Sequence, residues 1–292
     1  MRQASGYRIL GWRGWVLLLL STALGANATE EAVPVPEAWL HQFGAAHRVL
    51  EVDGHRAFLL RPPLDRVAPG KPWVWFAPTF FESTPGPETV WYFTRLLARG
   101  FHLAGVEVGE SYGSPAGAAI YAAFRDRLVG EYGLAPRACL LPQSRGGLML
   151  YNWAAEHPDQ VACVAGIYTV CDLRSYPGLA AAAPAYGMTP EELAQHLAAH
   201  NPVDRLAPLA TAGVPIWHIH GDSDAVVPLE ANSAELARRY RALGGSVEVV
   251  VVPGKGHEAA AEFFEDPRLI EFVTQHGRLT APGAGGDADG GD

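Results

Sequence analysis

The chain has 292 residues, 49% of them hydrophobic and 18% charged, with 31 Asp and Glu against 22 Lys and Arg and a formal net charge of −9. That composition excludes a disordered chain, argues against a nucleic-acid partner, and gives no reason to expect binding to anionic lipid. Three cysteines are too few for a disulfide scaffold, and an α/β domain of this length buries about three quarters of its unfolded surface without one.

Residues 1–28 read as an export signal. Arg2, Arg8 and Arg13 form a positive start, Trp15 to Leu24 is a short apolar core, and Ala26-Asn27-Ala28 is an A-x-A cleavage site. The uncharged stretch from Gly14 to Asn27 falls short of the roughly 20 residues of a membrane-spanning helix, so stable membrane insertion is not expected. Cleavage after Ala28 sends a more acidic chain to the periplasm or the medium. Two strands around Asp53-Gly54 follow, between His47 and Arg61, as a hairpin.

From the apolar run Trp73 to Ala77 onward, strands and helices alternate. The pattern predicts a helix at Thr89 to Ala98, a strand at His102 to Val108, and a helix with Ile120, Phe124 and Leu128 on one face. Next come a strand at Ala138 to Gln143, a nearly all-apolar helix at Gly146 to Ala155, and a strand at Val161 to Thr169. Residues 172–213 break the rhythm as an inserted helical lid, in which Thr189-Pro190-Glu191-Glu192 is a capping box. A strand at Pro215 to His220, a helix with Leu229, Leu236, Tyr240 and Leu243 on one stripe, a strand at Val247 to Val252 and a helix at Ala259 to Thr274 complete the body. Eight strands, mostly parallel and covered by helices on both faces, are the α/β architecture expected. The body runs over 29–280, and the Gly, Ala, Asp and Pro residues of 281–292 form a tail with nothing to bury.

In such a sheet, ligands sit beyond the carboxyl ends of the strands. Two serines compete there. Gly109-Glu110-Ser111-Tyr112-Gly113 is a literal G-x-S-x-G, whereas Ser144 lies in Pro142-Gln143-Ser144-Arg145-Gly146-Gly147. Ser144 is preferred because a strand passes directly into a helix there, with two glycines to relieve crowding around a strained serine. Asp224, in His220-Gly221-Asp222-Ser223-Asp224, and His257 follow at later strand ends, in the order nucleophile, acid, base. Asp222 is read as a turn residue and Asp172 as the second-choice acid.

Simpler readings go with the remaining residues. His218 and His220 share one side of a strand and are expected to be packed histidines, not metal ligands; no metal site is expected. Cys139, Cys163 and Cys171 are expected as buried thiols, and Trp73, Trp75, Trp91 and Trp153 as core. Arg145 can meet an acidic substrate group or pair with Glu110. Tyr176 and Tyr186 can line the substrate site or pack the lid.

With these motifs quoted, the body resembles the α/β-hydrolase family, in its esterase and prolyl-oligopeptidase-like branch. The matching segments are PQSRGG, HGDSDAVVP and GKGHE, within a likeness that runs over about residues 45–275. Pro142 departs from the glycine usual there. The resemblance implies a cofactor-free Ser144-His257-Asp224 triad, an acyl-enzyme, and an oxyanion hole from the N–H of Arg145 and that of Thr79 or Phe80. It implies a small-molecule or polysaccharide ester as substrate. Esterase is preferred because peptidases of this branch usually carry a large extra domain. A serine peptidase or amidase on the same triad, or a non-catalytic binding protein, is the alternative.

Overall fold

The computed structural model describes residues 37–81 and 83–278; the expected signal segment and tail lie outside the described residues. Strands β1 (Ala46–Val52) and β2 (His55–Arg61) pair antiparallel with Val52 opposite His55. The two turn residues, Asp53 and Gly54, have φ of 49° and 79°, the left-handed conformation that an Asp-Gly hairpin turn requires. Then follow β3 (Trp73–Ala77), α1 (Val90–Ala98), β4 (His102–Val106), α2 (Pro115–Tyr132), β5 (Ala138–Pro142), α3 (Gly146–Glu156) and β6 (Val161–Ile167). All eight strands form one sheet in the order β1-β2-β4-β3-β5-β6, then β7 (Ile216–Gly221) and β8 (Val247–Val252). The pairings β1–β2 and β2–β4 are antiparallel and the rest parallel, as the helical crossovers demand.

Period-two alternation splits the core between the faces of the sheet. Along β3, Trp73, Trp75 and Ala77 join one apolar cluster, while Val74 and Phe76 join the other. Trp73, Trp75 and Trp153 are fully buried, each such ring contributing about 2–3 kcal/mol. Trp91 is half-buried, packed against the second cluster with the Arg95 guanidinium 3.7 Å from its ring centre. All three cysteines are buried and free.

Two helices differ from the periodicity reading. The stripe expected through Leu243 ends at Tyr240, because α8 (Ser233–Ala242) stops first and Leu243 is 49% exposed. The single helix expected at the C-terminal side is divided into α9 (Ala261–Phe264) and α10 (Pro267–Gly277). Pro267 disfavours helical backbone at Asp266, whose carboxylate accepts from the N–H of Arg268 and starts the second helix. Between β6 and β7, the inserted segment holds the short helices α4 (Leu179–Ala182), α5 (Pro190–Gln195), α6 (Leu197–His200) and α7 (Ala207–Thr211). The capping box at Thr189 and Glu192 is formed. Leu173, Ala182 and Leu193 of this segment pack on Leu148 and Val227, joining it to the start of α3 and the loop after β7.

Candidate active site

Ser144 occupies the turn between β5 and α3 with φ of 51°, a strained conformation for a residue with a side chain. Its backbone is clamped on both sides: its N–H donates to Ile167 O (3.0 Å) and its carbonyl accepts from Val170 N–H (2.9 Å). The glycines after it are steric necessities. A Cβ on Gly146 would lie 2.0 Å from Ala77 O, and one on Gly147 would lie 2.1 Å from Val170 O. Gly146→Ala is therefore expected to cost about 1–3 kcal/mol, read from the urea unfolding midpoint, because β3 must move for the methyl to fit. An unchanged midpoint would show that the contact is not tight.

Three sequence-picked residues meet here. Ser144 Oγ lies 2.9 Å from His257 Nε2, and His257 Nδ1 lies 2.8 Å from Asp224 Oδ2. The other carboxylate oxygen, Oδ1, accepts the N–H groups of Val226 (2.9 Å) and Val227 (2.8 Å). Burial opposes the charge on Asp224, but donors from His220, Val227 and His257 outweigh it and hold the carboxyl down at about 2. The loops that carry Asp224 and His257 are tied together. Asp222 Oδ1 accepts from Gly254 N–H (2.7 Å), and Ser223 N–H donates to Lys255 O (3.0 Å). Asp222 is the turn residue expected.

The candidates for anion donors separate. The N–H groups of Arg145 and Thr79 carry no hydrogen bond among the described residues, whereas Phe80 N–H donates to Thr84 O (2.9 Å). Phe80 thus drops out of the expected oxyanion pair, its donor consumed by a local turn, and Thr79 remains beside Arg145. Tyr186 also drops out as a substrate contact. Its hydroxyl donates to Tyr112 O (2.8 Å) and accepts from Asn152 Nδ2 (3.3 Å), which makes it a fastener of the inserted segment. Tyr176 stays at the site, with its hydroxyl 3.4 Å from Arg145 Nη1. Arg145 pairs with Glu110 (3.2 Å) and lies over the Phe80 ring (5.0 Å).

The other candidates fall away on geometry. Ser111 Oγ is buried with no hydrogen-bond partner among the described residues. Asp172 is committed to Arg174 and Asn201, away from His257. His218 and His220 are fully buried and hydrogen-bonded, and no group of metal-binding side chains occurs among the described residues. The sequence reading missed Tyr168, whose ring lies 4.3 Å from that of His257 and whose hydroxyl accepts from Gln143 Nε2 (3.3 Å). Its place just past the end of β6 is the signal that could have found it. Beside Ser144's neighbour Arg145, a shallow cavity of about 400 Å³ is lined by Arg56, Phe80, Ser83, Glu107, Glu110 and Arg145. A larger one, about 580 Å³, lies around Phe43, Arg61, Leu64 and Leu97 and holds none of these groups.

A model described as the prolyl oligopeptidase family, Peptidase_S9, matches residues 130–276, half of the chain and the span that holds Ser144, Asp224 and His257. The chain belongs to the prolyl oligopeptidase family. It is a serine hydrolase of that family, within the α/β-hydrolase superfamily. No curated protein matches it in sequence. Among solved structures it is similar to MPT51 (FbpC1) of Mycobacterium tuberculosis, at 18% identity and a TM-score of 0.59, over 80% of this chain and 100% of that one. It is also similar to a puromycin-hydrolyzing peptidase of Mycobacterium tuberculosis (18%, 0.62, 83% of this chain) and to dipeptidyl peptidase 4 of Porphyromonas gingivalis (14%, 0.63, 80% of this chain). It spans only 42% and 35% of the length of those two peptidases, and at these identities the likeness is one of fold.

Proposed function

We propose that this family member hydrolyses carboxylic esters of polar, hydroxyl-rich molecules, a polysaccharide ester being the leading class, through Ser144, His257 and Asp224. The observation that carries acyl transfer is the continuous hydrogen-bonded line from Ser144 Oγ through His257 to Asp224, with the N–H groups of Arg145 and Thr79 carrying no hydrogen bond among the described residues. His257 Nε2 takes the Ser144 proton as Oγ attacks the ester carbonyl. The two N–H groups receive the charge that develops on the carbonyl oxygen. The alcohol leaves with the proton from His257, and water then releases the acid by the same steps in reverse. No cofactor enters this scheme.

A polar substrate is supported by the charged walls of the open cavity beside Arg145, which suit a hydroxylated molecule better than a hydrocarbon chain. An amide or peptide substrate is the second reading, favoured by the family's name and by the two peptidases of like fold. The reading includes export, with residues 1–28 as the signal; among the described residues no helix is long and apolar enough to cross a membrane.

The purified protein is expected to hydrolyse nitrophenyl acetate and to release acetate or methanol from acetylated or methyl-esterified polysaccharides. Aminoacyl and dipeptidyl nitroanilides should react much more slowly. Preference for the nitroanilides would move the assignment to peptidase, and inertness of a folded sample toward both panels would favour a binding protein.

A further inference from the structure

Behind Asp224 lies a run of buried polar groups that the proposed mechanism does not use. His218 and His220 project from β7 on the side packed by α3 and α8. Tyr151 of α3 places its hydroxyl 2.8 Å from His218 Nε2. Ser233, at the start of α8, places Oγ 2.9 Å from His218 Nδ1 and 2.8 Å from His220 Nδ1. His220 Nε2 lies 2.8 Å from Val227 O and 3.5 Å from Asp224 Oδ2. His218, His220 and Ser233 are fully buried and Tyr151 is 1% exposed.

With His220 as a neutral ring, one group fixes every proton in this run. Val227 O can only accept, so His220 Nε2 carries hydrogen and its Nδ1 is a lone pair. Ser233 has a single hydroxyl proton and must give it to that lone pair. Ser233 Oγ then accepts from His218 Nδ1–H, which leaves His218 Nε2 to accept from the Tyr151 hydroxyl. The opposite sense would set a lone pair of His220 against Val227 O and Asp224 Oδ2. Burial pushes His218 down to about 3, with the neighbouring His220 adding to it, so His218 stays neutral as this order requires.

We propose that Tyr151, His218, Ser233 and His220 form a proton-ordered chain that positions Asp224, by turning the His220 Nε2–H, which Val227 O accepts, toward the carboxylate oxygen that holds His257, 3.5 Å away. The four are positioning residues. The loop after β7 is thereby anchored at Val227 O, while Oδ2 accepts from His257 Nδ1 and feels the partial positive charge of the His220 N–H. The inference rests on the triad reading above. The titratable groups that face the chain and Asp224 are His257, Tyr168, Cys171 and Tyr240.

The experiment is the pH profile of kcat/KM on nitrophenyl acetate for His220→Asn and His220→Gln, beside Ser144→Ala. Asn keeps an acceptor at the Nδ1 position and loses the N–H that binds Val227 O and faces Asp224; Gln keeps a donor at the Nε2 position. His220→Asn is expected to lower kcat/KM at neutral pH by about tenfold. It should move the acid limb to higher pH by about one unit, since an Oδ2 that no longer shares its charge holds the His257 proton more tightly. His220→Gln should restore the wild-type limb. An Asn variant equal to wild type, or two variants equally slowed with the limb in place, would overturn the proposal. If His220→Asn does not fold, Tyr151→Phe decides: a limb displaced in the same direction supports the chain, and an unmoved one rejects it. An active Ser144→Ala would remove the triad reading itself, and the proposal with it.

Discussion

Ser144→Ala is expected to lower kcat on nitrophenyl acetate by about 10⁴-fold or more, the loss seen when a triad nucleophile is removed. Ser111→Ala is expected to leave kcat near the wild-type value. The contrast matters because the literal G-x-S-x-G motif surrounds Ser111. Ser144 Oγ stands 2.9 Å from His257 on a backbone with φ of 51°, whereas Ser111 Oγ is buried without a partner among the described residues. With the side chain removed, the proposed ester contacts at the N–H groups of Arg145 and Thr79 would be kept, so KM should change far less than kcat. Steady-state kinetics on the two variants, each checked for a native unfolding midpoint, separates the cases. Activity lost in Ser111→Ala and kept in Ser144→Ala would refute the assignment.

What could be read from the sequence follows from the range of the interactions involved. Buried parallel strands such as Trp73-Val74-Trp75-Phe76-Ala77 announce themselves because both faces are covered and every residue is apolar. The Asp53-Gly54 hairpin and the Thr189 to Glu192 capping box are local chemistry, complete within four residues. Ser144, Asp224 and His257 could be picked out as neighbours because each follows the carboxyl end of a strand, β5, β7 and β8. Phe80 and Tyr186 could not be judged in the same way. Whether Phe80 N–H is free depends on Thr84 folding back upon it, and whether Tyr186 faces the site depends on Tyr112 and Asn152, 74 and 34 residues away. Leu243 fits the helical period, yet the helix ends before it, so period without a stop signal overran the element.

The buried polar run behind the site shows the same division. His218-x-His220 at period two says that both rings share a face, and nothing in that spacing says what they meet. Ser233 and Tyr151 complete the pattern from helices on that face of β7, 13 and 67 residues from their partners in sequence. A pair of histidines alternating on a strand is thus compatible with a metal site or with a chain of neutral rings. The choice falls to the third and fourth residues, here a hydroxyl pair that can relay single protons and offers no charge to a cation.

Asp224→Asn is expected to reduce kcat by about 10⁴-fold with little change in KM. The reason lies in the donors around the carboxylate. Oδ1 accepts from Val226 and Val227, so an asparagine must turn its carbonyl oxygen toward those two N–H groups. Its amide then faces His257 Nδ1 and donates to it, which forces the ring hydrogen onto Nε2, 2.8 Å and 2.9 Å contacts being retained in the wrong sense. An imidazole protonated at Nε2 cannot take the proton of Ser144. The same change should alter acid stability. In the wild type the carboxyl is held down at about 2, below the roughly 3.9 of an unfolded aspartate, so its contribution is fully present above pH 4 and is lost as pH falls toward 2. That contribution is on the order of 2 kcal/mol. The variant should therefore be less stable than wild type at neutral pH and approach it between pH 4 and 2, in urea melts taken across that range. A variant whose kcat stays within tenfold of wild type would mean that His257 is oriented by some other group, and a gap in stability that does not narrow in acid would mean that Asp224 is not ionised against its burial.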